Sequence, residues 1–403
     1  MSARNYGDYG RGAQLLGRLG SGGEFAADDP GMSLGEKLIQ LNWVLVLLLG
    51  MIAGVGMAML YSAANGSFEP WAVRHGIRFG VALGIMIVVA LVDVRIWLRL
   101  AYPLYGVTFI LLVAVEVMGE VGMGAQRWID LGVITLQPSE MMKVALVLAL
   151  ARYFHTPTLE EVWRPTRLIL PILMVLAPVA LVLKQPDLGT ALMLMMVGGA
   201  IFFLTGVRLW KFVVVIAGGL SAIPIAWQFL REYQKNRVLT FLNPERDPLG
   251  AGYHILQSKI ALGSGGVSGK GFLQGTQSHL NFLPEKQTDF IFTMLAEEMG
   301  LVGGLGLLGL FFLVLVYGTV IGLRSRNHFG RLVALGLTTN LFLYVFINIA
   351  MVMGLIPVVG VPLPLISYGG TAMLTVMIGM GLIACVSIHR DVRISRRAMD
   401  GFY

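Results

Sequence analysis

Asp289 stands where the polar run Pro284-Glu-Lys-Gln-Thr-Asp289 meets the apolar run Phe290-Ile-Phe292. Two roles are open to a carboxylate placed there. It can cap the helix that the apolar run begins, alone or with Thr288, an arrangement worth ~1 kcal/mol. It can also act as a general base, because a carboxyl beside Phe290, Ile291 and Phe292 is partly desolvated, which raises its pKa and its basicity. The roles are compatible, since Thr288 can cap while Asp289 takes a proton.

Three other groups have the types and spacing for chemistry. Glu140 and Lys143 lie three apart in Gln137-Pro-Ser-Glu-Met-Met-Lys143 and share one helix face. They read either as a structural ion pair beginning a helix, with Pro138 in its first turn, or as an ionisable pair facing a cavity. Asp187, in Lys184-Gln-Pro-Asp-Leu-Gly-Thr190, reads as a cap or as a third carboxylate beside Asp289 and Glu140. Were those three to converge, their oxygens would suit a divalent cation, Mg²⁺ or Mn²⁺. Arg127 and Trp128 read as an interfacial anchor or as a contact for an anionic lipid head group.

Two glycine-containing stretches need weighing. Gly263-Ser-Gly-Gly-Val-Ser-Gly-Lys-Gly271 is not a nucleotide loop, because Ser264 stands where a P-loop needs glycine and Gly271 where it needs Ser or Thr. It is either a plain turn or flexible backbone near a diphosphate, with Lys259 and Lys270 as charges. Ser367-Tyr-Gly-Gly-Thr371, following Leu355 to Pro364, reads as a re-entrant turn that either lines a cavity or simply packs. Glu297 and Glu298 read as a paired structural element before a second catalytic acid.

The elements that must hold these groups are membrane spans. Of 403 residues, 56% are hydrophobic and only 13% charged, with mean hydropathy +0.75, half the charge of a soluble domain. Ten segments are long enough, or nearly so, to span: Asn42–Ser62, His75–Val92, Tyr102–Met118, Pro138–Tyr153, Leu168–Leu183, Leu188–Thr205, Phe212–Leu230, Asp289–Leu323, Leu332–Gly354 and Leu365–Ile388. The eighth is too long for one perpendicular crossing, so it is expected to start as a turn or two above the membrane and to span from about Met299. The fold class is therefore an all-α polytopic membrane protein of about ten helices. A long outer loop, residues 231–288, joins the seventh and eighth, with a short helix at Tyr253–Leu262 expected in or on the outer leaflet.

The net charge of +7 does not mean nucleic acid, because the basic residues sit in the loops between spans. Of the 30 Lys and Arg, 18 fall on one side in short connections, and seven of the other 12 lie in the long loop, where the positive-inside rule is weak. Both termini are expected to be cytoplasmic. Residues 1–40 are expected to form a disordered tail, 41–388 the transmembrane domain and 389–403 a basic tail. The single cysteine, Cys385, excludes an internal disulfide. Residue chemistry alone leaves enzyme and transporter both open.

The same residues resemble the SEDS family of peptidoglycan polymerases over about Leu41 to Ile388. The resemblance is carried by Arg127-Trp128, Gln137-Pro-Ser-Glu140 with Lys143, Gln185-Pro-Asp-Leu-Gly-Thr190 and Gly263-Ser-Gly-Gly266. It continues through Gly269-Lys-Gly271, Gly275-Thr-Gln277, Phe282-Leu-Pro-Glu285, Thr288-Asp-Phe-Ile-Phe292 and Pro364-Leu-Ile-Ser-Tyr-Gly-Gly370. The Gly275-Thr-Gln277 element is similar to the elongation branch and not the division branch. Lys286-Gln287 departs from the pattern, since a His often stands at the second of these positions.

The resemblance implies an inverting glycosyltransferase in the bacterial inner membrane with its active site facing the periplasm. It would polymerise Lipid II onto a growing lipid-linked β-1,4-glycan during elongation and shape maintenance, releasing undecaprenyl diphosphate. It implies Asp289 as the essential carboxylate, with Glu140 and Lys143 as further catalytic residues of a central cavity, Asp187 toward substrate, and a cation, Lys143 or Arg127 stabilising the leaving diphosphate. Arg127, Trp128, Lys259, Lys270 and Gln277 are placed toward substrate or diphosphate. A class B penicillin-binding protein and other elongation machinery are the implied partners, besides membrane lipid. The rival readings are a flippase for the same lipid-linked precursor and a scaffold with a vestigial cavity.

Overall fold

The structure is a computed structural model that describes residues 32–122, 125–130, 135–229, 251–279 and 285–392, with 232, 235, 239–241 and 243 between them. Of the expected disordered tail, residues 1–31 lie outside the described residues, and so do residues 393–403 of the basic tail. Leu34–Gln40 form a short helix, α1, by itself. Its start is a reciprocal cap: Ser33 N–H donates to Glu36 Oε2 at 2.9 Å and Glu36 N–H to Ser33 Oγ at 3.3 Å.

Ten long helices follow among the described residues, one on each expected span. They are α2 (Trp43–Ala63), α3 (Ala72–Leu91), α4 (Val94–Met118), α5 (Pro138–His155), α7 (Pro165–Lys184), α8 (Leu188–Leu204), α9 (Leu209–Phe229), α12 (Ile291–Arg324), α13 (His328–Val352) and α14 (Gly370–Ile388). Short helices α6 (Leu159–Val162), α10 (Ala251–Ser264) and α11 (Thr276–His279) lie in connections. Seven of the ten, α2, α3, α4, α7, α12, α13 and α14, are long and apolar enough to cross a membrane. α8 and the first part of α9 are apolar but shorter. α5 carries Glu140, Lys143 and Arg152 and is buried along nearly its whole length. That is how charge is tolerated at such depth, facing other helices and not lipid.

α5 packs against α4, α7, α8, α13 and α14, and α13 against α5, α8, α12 and α14. These two helices form the centre of the bundle. Around them α3, α4, α7, α9 and α12 expose large apolar side chains such as Val88, Ile110, Leu173, Val215 and Phe312. That surface suits hydrocarbon and would be an aggregation hazard in water.

α12 is broken inside its length, a feature the sequence did not predict. Gly300 takes φ 67° and ψ −162°, splitting residues 291–299 from the span that follows. A side chain there would be strained by the left-handed φ and would also meet the backbone of Val267 and Gly269. The break strands backbone groups, and the Gly263–Gly271 stretch satisfies them. Leu301 N–H and Val302 N–H donate to Gly266 O and Val267 O at 3.0 and 3.1 Å, while Lys270 N–H and Gly271 N–H donate to Glu297 O and Glu298 O, each at 3.0 Å. The loop is a fixed plug in a helix break.

Two connections differ from expectation. Gly119–Gln137 holds a small antiparallel sheet, β1 (Glu120–Gly122), β2 (Ala125–Asp130) and β3 (Thr135–Leu136), in that order. Glu120 pairs with Trp128 and Ile129 with Leu136. The helix expected at Tyr253–Leu262 is present as α10, but it docks on α12 and α13 through Ile255, Ser258 and Ala261, leaving Ile260 exposed. Ser258 Oγ fixes it, donating to Val352 O at 2.8 Å and lying 2.9 Å from Thr293 Oγ1. Polar pairing at Ser258 adds to the apolar contacts of Ile255 and Ala261 in setting its face.

Candidate functional site

Residues 285–290 form a turn ahead of α12. The helix is preceded by Phe290 as its N-cap, with no side-chain cap, so the capping role open to Asp289 or Thr288 is not the one they play. Thr288 Oγ1 instead donates to Glu285 Oε2 at 2.9 Å. The main chain of the turn is pinned from outside. Tyr368 N–H donates to Gln287 O at 2.8 Å, Ser367 Oγ to Thr288 O at 2.6 Å, and Asn348 Nδ2 to Asp289 O at 3.0 Å. The non-helical segment between α13 and α14 packs through the buried Leu363, Leu365 and Ile366, and its Gly360 lies next to the Asp289 carboxylate.

The Asp289 side chain is half-buried, and among the described residues no donor is bonded to it. Its Oδ2 lies so close to Gly360 that a Cβ on Gly360 would stand 3.5 Å away. Burial first, and then the negative charge of Glu285, push its pKa up from 3.8 to about 6. Arg127 acts against the shift and Asp187 with it.

Asp187 caps α8, its Oδ1 accepting from Thr190 N–H at 3.1 Å and its Oδ2 from Thr190 Oγ1 at 3.0 Å. Arg127 reaches the same point from β2. Its Nε is 3.8 Å from Asp187 Oδ2, and its Nη2 donates to Pro186 O at 2.5 Å. Trp128 is the next residue of β2 and is half-buried. The head of α8 in turn packs Gly189 on Val359 and Val361.

Glu140 and Lys143 are sealed. Lys143 Nζ is 2.6 Å from Glu140 Oε1 and 4.1 Å above the ring of Tyr344, whose hydroxyl donates to Glu140 Oε2. All three are almost fully buried. α13 joins the α5 pair to the Asp289 turn, Tyr344 reaching Glu140 and Asn348 reaching Asp289 O.

The residues do not fit the expected cation. Among the described residues no three Asp, Glu, His or Cys side chains gather to hold one. Both Glu140 oxygens are engaged by Lys143 and Tyr344, and Asp187 by Thr190 and Arg127.

Other expected residues lie elsewhere. Lys270, read as a charge for a diphosphate, is ion-paired at 2.8 Å with the fully buried Glu297. The same Glu297 Oε1 accepts from Thr276 Oγ1 and from Gln277 N–H, so Gln277 too belongs to this structural knot. Glu298 accepts from Ser62 Oγ at 2.5 Å, which makes the glutamate pair structural. Lys259 is exposed and lies against Gly354, beside the negative end of α13. Tyr344 and Asn348 escaped the sequence reading. Their signal was a phenol and an amide within a long apolar run, where polar groups are retained for a reason.

The chain matches the FtsW, RodA and SpoVE family model, described as a cell cycle protein, over residues 36–392. The peptidoglycan glycosyltransferase MrdB of Escherichia coli K12 is 44% identical over 367 residues, 91% of this chain and 98% of that protein. A probable peptidoglycan glycosyltransferase FtsW of Trichlorobacter lovleyi is 35% identical, covering 87% and 94%. A chain from a peptidoglycan synthase complex, described as coordinating polymerization and crosslinking, superposes with TM-score 0.76 at 34% identity over 87% of this chain and 98% of that one. The rod shape determining protein RodA of Thermus thermophilus superposes with TM-score 0.67 at 30% identity, covering 88% and 98%.

Proposed function

This chain belongs to the FtsW, RodA and SpoVE family, and from that premise we propose that it is a peptidoglycan glycosyltransferase of the elongation branch. It polymerises Lipid II into β-1,4-linked glycan and releases undecaprenyl diphosphate. The protein is a polytopic membrane protein, and this reading places both termini in the cytoplasm and the Asp289 turn on the periplasmic side.

The acceptor sugar's 4-hydroxyl is a weak nucleophile, so its proton must leave as the bond forms. Asp289 takes that proton, assistance worth ~10²–10⁴-fold. One observation carries the assignment: its carboxylate is half-buried and unbonded among the described residues, while its main chain is held. Attack on the anomeric carbon opposite the α-linked diphosphate breaks that bond and inverts the centre without a covalent intermediate. The electron pair departs with the diphosphate. Arg127 is the cation best placed to receive that charge, being half-buried beside Asp187, whereas Lys143 is sealed against Glu140. Glu140 and Lys143 then shape the floor of the site without touching the reacting atoms.

A class B penicillin-binding protein is the proposed partner, in keeping with the synthase complex that supplies one of the structural matches. The test uses the purified, partner-bound protein with labelled Lipid II in detergent. The expected result is glycan polymer from the natural protein and none from Asp289→Asn. Undiminished polymer from the variant rejects the base. No polymer from the natural protein rejects the enzyme and favours a transporter.

A further inference from the structure

Tyr344 and Asn348 stand four residues apart on α13, one turn along one face of a helix in the centre of the bundle. Both are buried, Tyr344 at 1% and Asn348 at 0% exposure. Tyr344 holds Glu140 through its hydroxyl and supports Lys143 on its ring. Asn348 Nδ2 is shared by two carbonyls, Asp289 O at 3.0 Å and Val361 O at 2.7 Å. One helical turn, about 5.4 Å of rise, therefore touches the α5 ion pair at one end and the main chain of Asp289 at the other. It also touches the segment whose Gly360 faces the Asp289 carboxylate.

We infer that Tyr344 and Asn348 are positioning residues of the glycosyl-transfer site, and that this turn of α13 acts as a gauge setting where Asp289 stands relative to the Glu140–Lys143 pair and the 359–361 segment. The inference rests on the proposed activity. Three observations support it. First, the Asp289 side chain has no bond of its own among the described residues, so its position is inherited from a main chain whose carbonyl Asn348 holds. Second, Asn348 Oδ1 is buried and accepts no hydrogen bond among the described residues. A leucine would fill similar space without stranding an acceptor, so the amide is present for its two N–H bonds. Third, the tyrosine ring alone would pack equally well as phenylalanine, so its hydroxyl is present for Glu140.

The test measures polymerisation by the partner-bound protein carrying Asn348→Leu, Tyr344→Phe or both, with extraction yield and thermal unfolding measured alongside. A misplaced base lowers the chemical step more than binding. The expected result for Asn348→Leu is a kcat reduced by about 10²-fold with KM for Lipid II nearly unchanged. Tyr344→Phe is expected to lower kcat in the same manner. The double variant is expected to lose less than the product of the single losses, since both act on one geometry. If Asn348→Leu cannot be purified folded, Asn348→Asp, of the same shape but lacking the donor, is held to the same expectation. Full activity in the single variants, or losses confined to KM, overturns the positioning role while leaving the enzymatic reading intact. A natural protein without polymerase activity overturns the reading beneath it.

Discussion

Lys270 and Glu297 are joined by a 2.8 Å ion pair that fastens the loop after α10 to the short leading segment of α12, with Glu297 fully buried and Lys270 about a quarter exposed. Breaking such a pair from one side leaves a buried charge without its counter-charge. Lys270→Ala leaves the Glu297 carboxylate only hydrogen bonds such as those from Thr276 and Gln277, and is expected to cost about 3 kcal/mol, the low end for a buried pair because those bonds remain and Lys270 retains water contact. Glu297→Gln keeps an acceptor for Thr276 and Gln277 and strands only the more exposed partner. Thermal unfolding in detergent should rank Lys270→Ala below Glu297→Gln. The reverse order would show that the pair does not hold the loop.

The buried Glu140–Lys143 pair separates stability from activity. Lys143→Met leaves Glu140 charged and enclosed, an expected loss of roughly 3–5 kcal/mol. Adding Glu140→Leu removes that charge and should restore much of the stability. Polymerisation should stay low in the double variant, since the floor of the site has lost its polar pair. Recovery of both stability and polymer in Lys143→Met/Glu140→Leu would make the pair purely structural.

The pH dependence should report Asp289. Its carboxyl is raised to about 6 by burial and by Glu285, and a base works only when deprotonated. The rate measured as kcat/KM should therefore climb with pH through about 6 and level above it. Arg127 is the neighbour that pulls this value down, so Arg127→Gln should move the acidic limb to higher pH, besides slowing departure of the diphosphate. A limb near the ordinary carboxylate value, unmoved in Arg127→Gln, would count against Asp289 as the base.

Gly300 should tolerate no side chain. Its left-handed backbone and its contact with Val267 and Gly269 make Gly300→Ala a change of backbone strain plus collision, an expected cost of at least ~1–3 kcal/mol. The four hydrogen bonds between loop and helix break should loosen together. Limited proteolysis should then cut within residues 263–271, where the natural protein resists. Equal resistance in both would show that the plug does not depend on this close approach.

Much of the architecture was legible from composition because a bilayer demands about 20 apolar residues per crossing. All ten helices stand on the expected segments, and the eighth carries a break at Gly300 that its length alone did not announce. Asp289, Glu140, Lys143, Asp187 and Arg127 were recognisable as charged groups that a membrane protein would not keep idly. The strands of Gly119–Gln137 were not, since two- and three-residue pairings leave no periodicity to read.

What each charge does was decided only by neighbours far away in the chain. Lys270 finds Glu297 across 27 residues, Asn348 holds Asp289 across 59, and Tyr344 meets Glu140 across 204. A lysine or a carboxylate has the same local sequence whether it awaits a ligand or is already paired. Periodicity and hydropathy are properties of one segment, and so they determined the spans and where polar groups interrupt them. Pairing is a property of two segments brought together by packing. Only the folded bundle could separate the engaged charges of this site from Asp289, whose carboxylate has no bonded donor among the described residues.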